Sequence, residues 1–476
     1  MPVEHYESIC GTNPMQLAAA TWVVREHRIE YRLPAFEGEE IEIRTWVENV
    51  RCVRSLQKLE LVGVTIVDSA TQVKSRNSIP LYTLFIANAI SLVGNVFSMI
   101  AIPWFVLQTT GSATQTGITG FFTILPVILA GFLGGTLIDR LGYKRTSIIS
   151  DLASGATTAL IPLLYFTVGL EFWQLIVLVF LGALLDTPGG TARAALLPEL
   201  AEQAGMPIER VTSLIHVIER GARLVGAPLA GLLIGFMGTA SVLWLDAASF
   251  FVSAAMIGIL IAAPKLTEQE GKTGKYFDEL KDGLRFIAHD RLILSIVVMV
   301  MLMNFLDSIF GGVVQPVYVK QVFGSALNLG LLIAANGGGA VIGGLIFAAV
   351  GHRLPRHGTF VAAFVLTSFR FWVYAAYPSI AVLIAVTVIT SIGAGPLNPI
   401  IGAVEFERIP ANMRGRVFGA VGAGAWLAMP LGMLLGGVLT DRFGTFPMLI
   451  GLGITNFITT LSMAFIPAMK EMNRKP

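Results

Sequence analysis

From Asn77 to Ile138 the chain carries no Asp, Glu, Lys, Arg or His. About 20 consecutive apolar residues are enough for one helix to cross the hydrocarbon core of a bilayer. This tract is therefore long enough for two, with a break near Thr109 to Ser112. Apolar stretches continue to the C-terminal end and predict twelve spans, at about 80–108, 114–138, 146–169, 172–190, 211–236, 239–263, 292–319, 326–350, 358–377, 379–400, 415–438 and 445–468. Pro126, Pro228 and Pro430 fall inside them, which neighbouring membrane helices tolerate by re-satisfying the backbone. Over all 476 residues, 54% are hydrophobic and 13% charged, a membrane composition, and a formal charge of +2 is too small to point to nucleic acid.

The charges that do occur are unevenly placed. The first 76 residues hold 11 acidic and 9 basic side chains and both cysteines, Cys10 and Cys52, so the apolar body has no internal disulfide. Within that body Lys and Arg collect on alternate loops. One side has Arg140, Lys144 and Arg145, then the stretch from Lys265 to Arg291, then Arg353 and Arg356, Arg408, Arg414 and Arg416, and the tail; the other has mainly Lys320 and Arg442. Cytoplasmic loops retain basic residues. Both termini are thus expected in the cytoplasm, and the chain in the plasma (inner) membrane.

The two halves of the body echo each other. Gly344 to Arg353 follows the eighth span as Gly135 to Lys144 follows the second, with Ala348 where the first copy has Asp139. Gly226, Gly231 and Gly238 match Gly432, Gly437 and Gly444, and the prolines at 188 and 198 match those at 399 and 410. Two halves in the same orientation can rock against each other around a central site, the physical content of alternating access.

The turn Gly135-Thr-Leu-Ile-Asp139-Arg140-Leu-Gly142-Tyr-Lys144-Arg145 is a helix reversal at a membrane surface. Gly135 admits a close neighbour, Asp139 ends the incoming helix, Gly142 permits the turn, and Lys144 and Arg145 suit an anion-rich interface. Its spacing resembles the signature loop between helices 2 and 3 of the major facilitator superfamily. Ser91-Leu-Val-Gly94-Asn95, Ile102-Pro103-Trp104, Gly111-Ser112-Ala113, Asp186-Thr-Pro188 and Leu197-Pro198-Glu199-Leu200 are similar to phrases of its drug-efflux branch, which includes macrolide and siderophore exporters. Gly226-Ala-Pro228-Leu-Ala-Gly231 resembles the glycine-proline antiporter motif of helix 5, though with Ala227 and Ala230, and Asn95 stands where such relatives commonly carry an acid. The resemblance implies an all-α membrane fold of twelve helices in two six-helix pseudo-repeats. It also implies a latch in which Asp139 holds the N-terminal end of span 11, near Arg414 or Arg416.

Ionisable residues within spans cost several kcal/mol unless paired or facing water. Asp307 is the first candidate for proton coupling or cation binding, and Arg370, between Phe369 and Phe371, is a candidate for an anionic or aromatic substrate or for pairing with Asp307. Glu219 and Arg223 have the spacing to pair along one helix face, as do His216 and Arg220, which favours a structural role, with coupling or substrate binding by Glu219 and Arg223 as the alternative. Asp246 lies among small residues, which favours packing, with coupling or substrate binding as the alternative.

Residues 1–76 form a separate cytosolic segment. Alternation in Trp22 to Leu33, Glu40 to Arg44 and Lys58 to Leu61 predicts half-exposed strands after a short helix around Met15 to Ala20. Arg28 to Trp46 resembles the middle of a hot-dog-fold acyl-CoA thioesterase, covering about half of such a domain without the segment for its early catalytic acid. That implies a partial α+β domain that does not catalyse. The expected order is then 77–263 as the first half, 264–291 as a linker, 292–468 as the second half and 469–476 as a tail. Within the linker, Tyr276 to Ile287 has apolar residues at helical spacing, as an interfacial amphipathic helix does.

No phosphate-binding loop, metal-ligand spacing or nucleophile motif is found, so no cofactor, metal or catalytic residue is expected. The function expected is that of a monomeric secondary transporter exporting small hydrophobic or amphipathic molecules in exchange for protons. The alternatives are an uncoupled or import-direction carrier and, from another class, a membrane-anchored thioesterase.

Overall fold

The computed structural model describes residues 77–261 and 276–473, with only the backbone at 131–140, 276–280 and 412, and the backbone of three strands before residue 77. The chain divides into two units, Met1–Arg76 and Asn77–Pro476. In the first, β1 (Trp22–Arg25), β2 (Arg28–Leu33) and β3 (Ile41–Trp46) form an antiparallel meander, with Tyr31 opposite both Trp22 and Ile43. The expected helix at 15–20 and alternation at 58–61 lie outside the described residues.

The second unit is helical throughout its described residues. Its first half comprises α1 (Ile79–Thr110), α2 (Ala113–Leu141), α3 (Tyr143–Thr167), α4 (Phe172–Ala204), α5 (Ile208–Met237) and α6 (Thr239–Leu260). After the amphipathic α7 (Tyr276–His289), the second half begins with α8 (Arg291–Ile309), which runs through a π-helical turn at Phe310–Val314 into α9 (Gln315–Phe323). It continues with α10 (Ala326–Val350), α11 (Arg356–Ala375), α12 (Ile380–Ala394), α13 (Leu397–Arg408), α14 (Arg414–Leu427), α15 (Met429–Phe443), α16 (Thr445–Phe465) and the short α17 (Pro467–Lys470).

Local chemistry explains where these helices start and stop. Asp290 caps α8 by accepting from the Leu292 and Ile293 amides at 2.9 and 3.0 Å. At α4, Glu171 and Gln174 form a reciprocal capping box. Gly142 turns the chain between α2 and α3 with φ 78°, a backbone that L side chains rarely adopt. The α12–α13 break falls at Gly395-Pro396, where a Cβ on Gly395 would lie 2.6 Å from the Gly343 Cα of α10.

Among the described residues, eleven helices or joined helix pairs are long and apolar enough to cross a membrane by length and composition. The twelfth expected span, α5, is helical over 30 residues, but Glu209, Arg210, Glu219, Arg220 and Arg223 lie along it. The fourth span was expected to end at 190. Instead α4 continues through Pro198 to Ala204, because the charge at Arg193 is neutralised inside the bundle rather than in a loop.

The bundle is apolar outside as well as inside. Phe236 is 81% exposed, Ile259 80% and Leu345 67%, more apolar surface than water tolerates on a monomer. Inside, one cluster including Trp104, Phe310, Tyr318, Phe371 and Tyr374 spans both halves, while separate clusters fill the basic end of each half, around Leu84 and Leu200 in the first and Phe360 and Ile400 in the second.

Candidate functional site

A cavity of about 660 Å³ lies between the halves, with walls from α1–α6 on one side and from α8–α12, α14 and α15 on the other. That is the size of a pocket for a drug-sized molecule. On the first-half wall, Asp246 of α6 is only 1% exposed. The Ser98 hydroxyl of α1 donates to its carboxylate, and the Ser249 hydroxyl donates to its backbone oxygen at 2.7 Å and to Oδ1 at 3.5 Å. Helix α1 reaches this carboxylate through Gly94, where a Cβ would lie 2.5 Å from Asp246 Oδ1.

The next residue begins a chain of polar contacts. Asn95 donates to Asp186 of α4 at 3.3 Å, and Arg193, further along α4, lies 3.8 Å from Asp186. Arg193 forms its tight pair, at 2.6 Å, with the fully buried Asp151 of α3, which also accepts from Ser253 of α6 at 2.6 Å. Four helices thus meet around one buried cation. Such a pair holds only when the remaining lone pairs find donors, and Ser253 and Asn95 supply two of them.

The second-half wall has its own pair. Asp307 on α8 and Arg370 on α11 form an ion pair in which Asp307 stays half-exposed to the cavity and Arg370 is mostly covered. The guanidinium lies over Phe310 and Phe371, 4.9 and 4.7 Å from the ring centroids. Phe310 opens the π-helical turn, so the turn rotates an aromatic face under the cation; π-bulges recur at functional sites. Below it the Gln315 amide donates to the Tyr374 hydroxyl at 2.9 Å. Trp426, Met429 and Met433 complete this wall with adaptable apolar surface.

The cavity brings Asn95, Arg223, Asp246, Asp307 and Arg370 together. Glu219 is elsewhere: it pairs with His216 at 3.2 Å on an exposed face, while Arg223 lines the cavity. Asp246, whose small neighbours favour packing, lines the cavity. Gly226, Pro228 and Gly231 form a helix-packing strip. A Cβ on Gly226 would lie 3.3 Å from Val96 of α1, and one on Gly231 would lie 2.6 Å from the Leu327 Cα of α10; a Cβ on Gly330 of α10 would lie 3.2 Å from the Pro228 Cα. The strip therefore carries α5 across to the second half.

In the turn after α2, the side chains of Gly135, Asp139 and Arg140 lie outside the described residues. Lys144 donates to the Gly258 carbonyl at 2.9 Å, capping the end of α6 rather than reaching outward, and Arg145 is exposed. Arg414 holds the Phe406 and Ile409 carbonyls and stacks on Phe406. Arg416 reaches Asp282 of α7 at 3.4 Å.

Asp151, Asp186 and Arg193 were not among the expected site residues. Asp186 was visible as part of a phrase, whereas Arg193 fell beyond the expected end of its span. Asp151 had a usable signal, as the only acid in α3.

Comparison with known proteins bears on the whole helical unit. Multidrug efflux pump Tap of Mycobacterium tuberculosis (strain ATCC 25618 / H37Rv) is 30% identical over 407 residues, 85% of this chain and 97% of that protein. Macrolide efflux protein A of Streptococcus pyogenes is 22% identical over 372 residues, 76% of this chain and 90% of that one. The crystal structure of nucleoside transporter NupG superposes with a TM-score of 0.66 at 12% identity, covering 81% of this chain and 98% of that one, which speaks to the fold alone. The family match begins at residue 76, so the likeness of Arg28 to Trp46 to a thioesterase has no support from it, and the membrane-anchored enzyme is set aside. Residues 76–476 match the transmembrane secretion effectors (MFS_3), and the chain belongs to this family of membrane transporters.

Proposed function

We propose that this protein exports small hydrophobic or amphipathic molecules, of drug, macrolide or siderophore type, by exchange with protons, through alternating exposure of the cavity between its halves. The names of the relatives, a multidrug efflux pump and a macrolide efflux protein, support the direction and the substrate class. In this reading α5 is the twelfth membrane span, the termini face the cytoplasm across the inner membrane, and the protein works as a monomer.

The observation that carries proton exchange is the contrast between two cavity carboxylates. Among the described residues, Asp246 is held by hydroxyls alone, whereas Asp307 is held by Arg370. A carboxylate without a cation partner takes up a proton and gives up no ion pair, while a proton on Asp307 would leave Arg370 uncompensated in a largely apolar wall. Asp246 is therefore the proton carrier. Asp307, half-exposed in the cavity that Trp426 and the methionines also line, is the contact for the substrate's polar end.

Asp246→Asn keeps the shape and the hydroxyl contacts and removes the titratable group. In proteoliposomes it should retain exchange of labelled for unlabelled ethidium, while uptake driven by a pH gradient falls at least about tenfold. Equal loss of both activities would remove Asp246 from this role. Gradient-driven transport at the wild-type rate would do the same. An uncoupled carrier is the second reading, favoured by the Arg370 partner that already neutralises Asp307, and it predicts that Asp246→Asn changes neither activity.

A further inference from the structure

Residues Gly436-Gly437-Val-Leu439-Thr-Asp441-Arg442-Phe-Gly444 repeat Gly134-Gly135-Thr-Leu137-Ile-Asp139-Arg140-Leu-Gly142, sharing both opening glycines, the leucine, the Asp-Arg pair and the closing glycine. The closing glycines also share a backbone: φ 78°, ψ 155° at Gly142 and φ 84°, ψ 170° at Gly444. One copy ends α2 in the first half and the other ends α15 in the second. Since α15 ends where α2 begins, the two copies sit at opposite ends of the bundle.

The described copy makes a built contact across the halves. Asp441 Oδ1 accepts from the Ala113 amide at 2.7 Å, and Oδ2 accepts from the Thr114 amide at 2.8 Å and the Ser112 hydroxyl at 2.7 Å. The two amides are first-turn donors of α2, at the positive end of its dipole. One turn earlier on α15, Gly437 lets the helices touch, since a Cβ there would lie 2.6 Å from the Ala113 carbonyl oxygen and 3.0 Å from the Gly117 Cα. A second tie lies at the same corner, where Lys320 of α9 donates to the Leu107 carbonyl near the end of α1. The second half thus grips both poles of the α1–α2 corner, an ammonium on its carbonyls and a carboxylate on its amides.

This carboxylate is not what starts α2. Ser112 already caps the helix from within, its hydroxyl oxygen accepting from the Gln115 amide at 3.2 Å. Asp441 adds cross-half contact to a helix that is capped without it, and its exposure lets water replace its bonds when the halves part.

We propose that Asp441 is a positioning residue for transport, a lock that holds the halves together at the end opposite the basic loops, in mirror opposition to Asp139 at the basic end. Closing one end engages one acid with the start of the facing helix and releases the other. The two acids set the balance between the open forms, and neither touches the substrate. The inference rests on the alternating-access reading above.

Spin labels at Val168→Cys and Ser379→Cys, both exposed at the Asp441 end, report its opening in nanodiscs once Cys10 and Cys52 are replaced by Ser. The double-labelled protein should be mostly in a short-distance population that ethidium or a pH step partly moves to a longer one. Asp441→Asn should raise the ratio of long to short by about tenfold, and Asp441→Glu should restore most of the short population. Should Asp441→Asn fail to assemble, Asp441→Ser serves for the same measurement. A variant distribution that overlays the parent overturns the lock. A parent distribution that ignores both ethidium and pH overturns alternating access itself, and the lock with it, which separates the two failures.

Discussion

Arg193 is the residue whose removal should be felt most in stability. It neutralises Asp151, which has no exposure at all, and Arg193→Ala would leave that carboxylate with Ser253 as its remaining partner. Breaking a buried pair from one side costs about 3–5 kcal/mol. The purified variant should therefore unfold several degrees below the parent in a fluorescence thermal ramp, and an unchanged midpoint would show that water or lipid headgroups already reach the pair. Asp246, Asp307 and Arg370 were legible in the sequence because a charge inside an apolar span is conspicuous by itself. Asp151 and Arg193 were not legible as a pair, because they stand 42 residues apart on different helices and nothing local records which partner a buried charge will meet. The setting of Asp246 was not legible for the same reason: its small neighbours are local in sequence, while the cavity it lines is assembled from distant helices.

At the scale of helices, charge-free tracts and glycine turns revealed the elements well, and the contacts between elements poorly. The sequence marked Gly226, Pro228 and Gly231 as a motif, but their close approach to Leu327 and Gly330 of α10 follows from three-dimensional packing. Enlarging Gly330 tests that contact, since its Cβ would meet the Ala227 carbonyl. Overpacking of this kind typically costs 1–3 kcal/mol, about enough to shift a conformational balance without unfolding a helix. Gly330→Val should reach the membrane at normal abundance on an immunoblot and lose most of its efflux; normal efflux would show that α5 and α10 separate freely. The amphipathic α7 was legible from its periodicity. Its seat was not: Gly283 packs so that a Cβ would lie 2.6 Å from the Arg416 carbonyl, which ties the linker to the start of α14. Asp139→Asn should likewise abolish efflux with insertion intact, the expectation if that acid holds the start of α14 when the basic end closes.

For the molecule as a whole, the internal repeat points to two halves, while the contacts between their helices are legible only in three dimensions. They touch through glycine strips at α5–α10 and α2–α15 and enclose a cavity whose first-half wall carries a carboxylate held by serine hydroxyls and whose second-half wall carries an ion pair under aromatic rings. In the proposed reading the proton gradient supplies the work, through a protonation site at Asp246 exposed alternately to either side. Export in this reading depends on that coupling to the gradient. Its most direct test is ethidium accumulation in proteoliposomes of the purified full chain, with a pH gradient imposed across the membrane. Ethidium should accumulate against its concentration gradient, and a protonophore should abolish that accumulation. Ethidium flux that runs only downhill and ignores the protonophore would contradict the coupling.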